Sequence, residues 1–282
     1  MTTGSVGVGR PPRRGTAAAE ARVHLQVAPA LWLTALVLVA VELAVSARYG
    51  FHRDELYFIV AGRRPALGYV DQPPFAPLLT RVATVLFGVS PTAVRVFPAL
   101  AGGGVVMLAG LTAGALGGRA LAQVLAGVAV ACAPVLLAAA HLANTTVYDL
   151  LAWSAIVLFV VLAVNHGRPR LWVAAGAAAG VGLENKDLLL VFVAALAVGL
   201  VATGRWRELI GPWQLAGVAV ALALWAPNLV WQAQHNWPRS RCPALSMTSI
   251  PPAATAPACC RRSFSTSALP PCPWRRSACG GS

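Results

Sequence analysis

The chain has 282 residues, of which 57% are hydrophobic and only 11% are charged, and its mean hydropathy is +0.68. These values exclude an ordinary soluble domain and predict a multi-pass membrane protein whose residues mostly face lipid or one another. The formal net charge of +13 does not indicate nucleic-acid binding, because the basic residues lie between apolar runs and no aromatic-interleaved basic patch occurs.

Residues 1–27 form a basic N-terminal tail interrupted by Pro and Gly, and we predict that this tail is disordered and cytoplasmic. An apolar run follows over residues 28–47. With a rise of about 1.5 Å per residue, this run is long enough to cross a hydrocarbon layer of about 30 Å. It is the first predicted membrane span.

The segment after this span, Phe51–Pro74, concentrates acidic residues in a chain that has only nine Asp and Glu. It contains Asp54, Glu55 and Asp71. A carboxylate beside a lipid bilayer is costly and is therefore typically functional. Apolar periodicity further along the same connection, which runs to residue 92, predicts helices that lie in the membrane interface.

The rest of the chain contains six further apolar stretches, which gives about seven spans, two of them short. The stretches cover residues 93–116, 120–140, 147–165, 171–183, 188–203 and 213–231. Basic connections around residues 119, 165–170 and 204–208 fall on the same side as the basic N-terminal tail. The positive-inside rule makes that side cytoplasmic, so the acidic connections lie on the outer face.

Carboxylates and basic residues on one face suit the transfer of a group from a phosphate. A carboxylate can act as general base toward a hydroxyl, while Arg or Lys neutralises a phosphate leaving group. The basic candidates are Arg53, Arg63 and Arg64 in the first outer connection and Lys186 in a later one. Alternatively, such loop charges are simply solvated, and the arginines lie among lipid headgroups.

Two local features separate acidic candidates from ordinary loop charges. Pro73 and Pro74 fix the backbone just after Asp71 and hold that side chain on a rigid turn. Asp149 lies inside the start of an apolar helix, where a capping role falls more naturally to Thr145 or Thr146. Asp149 is therefore a further candidate.

Five segments in order resemble a known superfamily: HRDELYF, GYVDQPPFAPLL, LFGVSPTAVRVFPAL, NTTVYDLLAW and GLENKDLLLVF. Together they are similar to the N-terminal half of dolichyl-phosphate-mannose protein mannosyltransferase-like and aminoarabinose-transferase-like membrane glycosyltransferases of the GT-C fold. The resemblance covers residues 28–238. It implies an all-α, multi-pass helical bundle at the plasma membrane. The implied activity moves a sugar from a polyprenyl-phosphate donor to a lipid, glycan or protein acceptor on the extracytoplasmic face.

The resemblance also implies roles for individual residues. Asp54 matches the catalytic base, and Glu55 is its catalytic companion or else orders the loop. Asp71 matches a position that contacts the acceptor or a metal. Asp149 matches an acidic position of the substrate site, and Lys186 matches a residue that binds the lipid phosphate.

The cofactor expectation stays open at this point. The sequence has no His or Cys spacing that indicates a metal site and no Gly-rich nucleotide loop. The resemblance nevertheless leaves a divalent metal possible, with Asp54 or Asp71 as contacts. Arg53, Arg63 and Arg64 remain candidates for binding the substrate.

Residues 239–282 differ abruptly from the rest, with no Asp or Glu and five of the six cysteines. Arg, Pro, Ser, Ala, Cys and Gly are the residues that GC-rich codons give when read out of frame. This indicates a frameshift near residue 239 and a disordered tail on a truncated member of an enzyme family, either active or inactive as it stands. The alternative is a disulfide-bearing or zinc-binding outer tail.

A different class of function also stays open, namely a transporter or another non-enzymatic multi-pass membrane protein. In that case charges would line a path through the bilayer. The charges instead collect on one face, and no inverted repeat is visible in the sequence. The enzyme is therefore the favoured hypothesis.

Overall fold

The computed structural model describes residues 27–241, and within this range the chain is entirely helical, with no strand. The predicted disordered tails cover residues 1–27 and 239–282, and most of each lies outside the described residues. Residues 239–241 are described and belong to the helix Pro238–Arg241. The described residues through Arg239 belong to one compact unit.

Eleven α-helices occur in the described range, and short 3-10 turns cover Ser46–Arg48 and Trp206–Leu209. The helices are α1 Pro29–Val45, α2 Arg53–Gly62, α3 Phe75–Phe87, α4 Pro91–Ala115, α5 Ala120–Ala131, α6 Pro134–His141, α7 Thr146–Asn165, α8 Leu171–Leu183, α9 Leu189–Ala202, α10 Pro212–Gln234 and α11 Pro238–Arg241. All seven predicted apolar stretches are helical, and α2 and α3 occupy the first acidic connection.

Only some of the seven stretches are long enough to cross a membrane as a single helix. Four helices qualify by length and composition: α1 with its 3-10 extension, α4, α7 and α10. The stretch over residues 120–140 is divided into α5 and α6, which are bent by 63° and give a fifth span if counted together. The remaining two, α8 and α9, are the shorter apolar helices.

The break between α5 and α6 has a local cause in the sequence. Pro134 is the first residue of α6, and Ala133 before it has an extended backbone. Proline lacks the N–H that would continue α5 and disfavours helical geometry in the preceding residue. The chain therefore restarts a new helix in a new direction.

Small residues let α4 pack closely against three neighbours at the centre of the bundle. A Cβ atom added at Gly102 would lie 2.8 Å from the Cβ of Ala140 in α6, and one at Gly103 would lie 2.7 Å from Val39 Cγ2 in α1. Gly104 is equally close to Leu151 in α7. This glycine run thus serves close helix packing, as expected of glycine in apolar spans.

The connections between helices lie at two opposite ends of the bundle. At one end, the Ala143 N–H donates to Glu55, the Phe75 N–H donates to the Glu184 carbonyl, and Asn228 donates to the carbonyl of Leu67. These contacts join the 46–92 connection, the α6–α7 loop, the α8–α9 turn and the end of α10. We call this the acidic end.

The acidic end gathers the carboxylates that the topology assigned to one face. They are Asp54, Glu55, Asp71, Asp149, Glu184 and Asp187. A seventh is Glu42, near the end of α1, which is 5% exposed and lies 2.9 Å from His141 Nδ1. The opposite end carries the basic connections, where His166 contacts the Ala115 carbonyl and Arg205 contacts Asn165.

Candidate functional site

The start of α2 places two neighbouring carboxylates on different sides of the helix. His52 is the N-cap, and its Nδ1 accepts a hydrogen bond from the Asp54 N–H at 3.3 Å. Glu55 reaches back and accepts from the His52 N–H at 2.8 Å, which completes a capping box. Successive helical residues differ by about 100° in direction, so fixing Glu55 inward turns Asp54 outward.

Asp54 is accordingly accessible, with 47% of its side chain exposed. Arg53 Nε donates to its carboxylate at 3.3 Å, and His52 Nδ1 lies 3.9 Å away. This geometry leaves the carboxylate able to contact a hydroxyl brought by a substrate.

Glu55 is instead fully enclosed in a bidentate ion pair with Arg95. Arg95 Nε donates to Oε1 at 2.8 Å and Nη2 to Oε2 at 2.9 Å, while the side chains are 1% and 0% exposed. The three remaining Arg95 hydrogens bond the carbonyls of Ser46, Tyr49 and Gly50 at 2.6, 3.2 and 2.8 Å. Every donor of the guanidinium fork thus serves to hold the chain between α1 and α2 in place.

The electrostatics of Glu55 match this structural role. Burial raises its pKa, but the hydrogen bonds from Arg95 and from the N–H groups of His52 and Ala143 outweigh burial and hold the pKa below its ordinary value. The carboxylate is therefore ionised at neutral pH, and both of its oxygens are occupied by hydrogen bonds within the protein. Of the two roles expected for Glu55, the geometry favours ordering the loop over direct catalysis.

Asp71 lies on the same side of α2 as Asp54. The Tyr57 hydroxyl donates to Asp71 Oδ1 at 2.7 Å, and Tyr57 is three residues after Asp54, so both point from one helix face. Burial, and then the bond to Asp71, raises the pKa of the Tyr57 phenol. Asp71 is exposed, so two accessible carboxylates border one surface.

The turn that carries Asp71 is tied back to α2. The Tyr69 hydroxyl donates a hydrogen bond to the Ala61 carbonyl at 3.0 Å. The backbone N–H of Tyr69 donates to the Gln72 carbonyl, also at 3.0 Å. Burial raises the pKa of Tyr69. Pro73 and Pro74 are buried behind the turn, which agrees with the rigid turn expected from the sequence.

Arg63 and Arg64, which were expected to bind the substrate or to lie among lipid headgroups, are placed away from Asp54. Both are exposed at the far end of α2. Nine residues of helix separate Asp54 from Arg63, which corresponds to about 14 Å along the helix axis. Arg53 is closer but points to solvent, with 86% of its side chain exposed.

A second cluster brings together two predicted residues from distant parts of the sequence. Asp149, 4% exposed in the first turn of α7, accepts from Asn185 Nδ2 at 3.0 Å, and Lys186 Nζ lies 3.9 Å from its other oxygen. The Lys186 side chain remains 40% exposed. Asp149 therefore orients a cation that is still accessible at the acidic end.

The first residue of α3 links the two clusters. The Phe75 N–H donates to the Glu184 carbonyl at 3.0 Å, and the Phe75 ring meets the Tyr148 ring edge-on at 5.5 Å. The turn that carries Asp71 therefore packs directly against the α8–α9 turn that carries Lys186. The two clusters are therefore neighbours at the acidic end.

Sequence reasoning missed several residues around this site. Arg95 is the most important, and its only signal was a lone arginine in an otherwise apolar stretch. Glu184 is a second missed residue. Burial raises its pKa to about 7, although a hydrogen bond from the Asn228 backbone and the charge of Arg239 act to lower the pKa. Arg239 was assigned to the tail, yet its guanidinium contacts Asp187 at 2.6 Å.

The described residues do not fit the divalent metal that was left open. Between residues 27 and 241, no three His, Cys, Asp or Glu side chains converge as metal ligands. Asp54 contacts Arg53, and Asp71 contacts Tyr57. We derive no catalytic step through a metal.

Known proteins resemble the chain in two ways: a family model matches its sequence, and a solved structure has a similar fold. The family model described as dolichyl-phosphate-mannose-protein mannosyltransferase matches residues 71–231. This range includes Asp71, Asp149 and Lys186, while Asp54 and Glu55 precede it. No curated protein matches the chain.

A solved structure with a similar fold is a chain of the S. cerevisiae protein O-mannosyltransferase Pmt1-Pmt2 complex bound to the sugar donor. The TM-score is 0.53 at 20% sequence identity, over 74% of this chain. The match spans 34% of the yeast chain, so the present sequence corresponds to about a third of that protein.

Proposed function

The chain belongs to the dolichyl-phosphate-mannose-protein mannosyltransferase family, and from this premise we propose that it acts as a glycosyltransferase with a polyprenyl-phosphate sugar donor. The proposed acceptor is a hydroxyl of a lipid, glycan or protein. We place the reaction on the extracytoplasmic face of the plasma membrane, because the acidic end lies opposite the basic connections.

One observation carries this proposal: an accessible carboxylate, Asp54, projects from a helix whose start is locked by a buried ion pair. The Glu55–Arg95 pair and the capping box fix the first turn of α2. A base held in a fixed direction loses little freedom when a substrate binds, which favours proton transfer in the right geometry. Asp71 borders the same surface through Tyr57 and is proposed to contact the acceptor.

In the proposed reaction, Asp54 takes the proton of the acceptor hydroxyl while the hydroxyl oxygen attacks the anomeric carbon of the sugar. The bond between this carbon and the phosphate oxygen breaks, and its electron pair leaves with the polyprenyl phosphate. Lys186, oriented by Asp149, is proposed to neutralise the leaving phosphate. Glu55 acts as a positioning residue only.

The three arginines of the first acidic connection receive separate proposals. Arg53 contacts Asp54 and is close enough to bind the sugar phosphate. Arg63 and Arg64, at the far end of α2, are proposed to bind lipid headgroups or a distal part of the substrate.

Sugar transfer from a labelled polyprenyl-phosphate sugar, measured in membrane vesicles that contain the full chain, tests the proposal. Asp54→Asn keeps the size of the side chain but removes the base, so we expect loss of transfer by at least about 100-fold. Glu208→Gln, at the opposite end of the bundle, is the matched control and keeps wild-type transfer. Full activity in Asp54→Asn, or no transfer by the wild-type chain, would contradict the proposal.

The truncation predicted at residue 239 is a separate proposal with its own test. The supporting observation is the compositional break at this point, where acidic residues cease and cysteines accumulate. Sequencing the gene across this position and translating all three frames checks it. A second frame that resumes apolar spans supports a frameshift, whereas three frames without such spans contradict it.

A further inference from the structure

A groove runs between α7 and α8, beginning at the acidic end. Its floor is made of small side chains at helical spacing, namely Ala152 and Ala155 on α7 and Ala174, Ala178 and Gly182 on α8. Residues three or four apart share one helix face, so each helix contributes a continuous strip of small residues. The resulting groove has a volume of about 440 Å³. We call it the α7–α8 groove.

The shape of the groove fits one extended apolar chain. It extends along α7 from Tyr148 to Phe159, eleven residues further on, which corresponds to about 16 Å along the helix axis. Its lining is almost wholly apolar, and most of the lining residues on α7 are only partly buried. A flexible hydrocarbon can therefore enter from the surrounding lipid.

Asn185 closes the acidic end of the groove with an unsatisfied acceptor. It is 1% exposed, and its Nδ2 donates to the Thr145 carbonyl at 2.8 Å and to Asp149 at 3.0 Å. These two bonds fix the orientation of the amide. Its Oδ1 is buried without a hydrogen-bond partner. A buried acceptor without a partner is costly, so this atom marks where a ligand would donate a hydrogen bond.

A positive charge lies beside the same end. Lys186, the next residue, is 40% exposed and only loosely paired with Asp149 at 3.9 Å. The end of the groove therefore offers a cation and a hydrogen-bond acceptor above an apolar channel. This combination matches a molecule with an anionic head, a hydroxyl and a single apolar tail.

We infer that the α7–α8 groove binds the isoprenoid tail of the donor, with the phosphate at Lys186 and a sugar hydroxyl donating to Asn185 Oδ1. The inference rests on the proposed function and adds to it the part of the bundle that holds the tail. A single isoprenoid chain fits the groove better than a phospholipid, which carries two chains on one head. The first isoprene units would pack against Gly182 and Ala178.

Photocrosslinking in lipid vesicles that contain the full chain tests which molecule occupies the groove. The photoreactive residue p-benzoylphenylalanine replaces Val181, which borders the groove and is 43% exposed. The control position is Val198 on α9, which is 66% exposed and lies outside the groove. We expect polyprenyl phosphate to label position 181 above position 198. Labelling by phospholipid alone, equal labelling at both positions or no labelling would overturn the inference.

A pair of adjacent substitutions gives a second test. Ala178→Phe fills the groove, whereas Ala179→Phe fills the separate cavity on the other face of α8. We expect Ala178→Phe to weaken the binding of farnesyl phosphate at least tenfold, equivalent to about 1.4 kcal/mol, with Ala179→Phe close to wild type. Equal affinities in the two variants would overturn the inference.

The sugar-transfer assay, run in parallel on the wild-type chain, separates the two ideas. Sugar transfer without labelling at position 181 would overturn the inference about the groove but would still support the proposed function. Labelling by polyprenyl phosphate without any transfer supports the groove and counts against the proposed function.

Discussion

Replacing Arg95 by Met should show how strongly the buried ion pair holds the site. The substitution leaves the Glu55 carboxylate enclosed without its partner and removes the donors to the carbonyls of Ser46 and Gly50. Breaking one side of a buried pair typically costs about 3–5 kcal/mol. For a chain of this size, that loss lowers the melting temperature by roughly 6–20 °C.

Thermal unfolding in detergent micelles measures the effect, with Arg119→Met as the control. Arg119 is exposed at the opposite end, so its loss should change stability by less than about 1 kcal/mol. The double variant Glu55→Leu with Arg95→Met removes both charges and should recover most of the lost stability. The reasoning is refuted if Arg95→Met has the melting temperature of the wild type. It is also refuted if the double variant is no more stable than the single variant Arg95→Met.

The pH dependence gives the same pair an independent test. The folded-state pKa of Glu55 is lowered, so the group contributes stability above its ordinary pKa, and this contribution is lost as the pH falls through the folded-state value. Without Arg95, burial becomes the dominant effect and raises this pKa. Arg95→Met should therefore gain stability relative to the wild type as the pH is lowered. A parallel pH profile in the two proteins would count against this assignment.

Three shorter predictions concern other parts of the bundle. Gly176→Leu should destabilise the chain by roughly 1–3 kcal/mol or more, because a Cβ there clashes with the Gly217 carbonyl of α10; an unchanged melting temperature would disprove this close approach. The pKa of Glu184 is raised to about 7, so its contribution to stability is present below its ordinary pKa and declines as the pH rises through 7. Glu184→Gln should therefore flatten the profile of stability against pH between pH 5 and 8. A slope identical to that of the wild type would contradict this prediction. Lys186→Gln should raise the KM for the donor more than it lowers kcat, measured by sugar transfer with Arg168→Gln as control; an unchanged KM would remove Lys186 from the phosphate site.

The helices were predictable because the bilayer imposes a simple rule on composition. Runs of apolar residues with few charges must satisfy their backbone hydrogen bonds internally, and each predicted run is helical. The division of residues 120–140 was not predicted, although Pro134 was visible in the sequence. The prediction of one span there used only the length of the apolar run. In the structure, Pro134 interrupts the run and begins a second helix.

The candidate site was only partly predictable because contacts between distant segments leave weak traces in one sequence. Asp149 and Lys186 lie close together, and both could be singled out from the sequence as charges at the ends of apolar runs. The separation of Arg63 from Asp54 follows from the length of α2, which places the two residues at opposite ends of one helix. Arg95 was overlooked because a single arginine near a span end also fits an interfacial anchor.

The partners of Glu55 also bear on how the protein is made. Its ion-pair partner is 40 residues later in the chain, and the backbone N–H of Ala143 is 88 residues later. While the chain is being synthesised and inserted, α2 therefore emerges before Arg95, the residue that neutralises its buried carboxylate in the folded protein. The orientation of Asp54 is set only once α4 and the α6–α7 loop have reached the membrane, so assembly of the site is a late event in the biogenesis of the bundle.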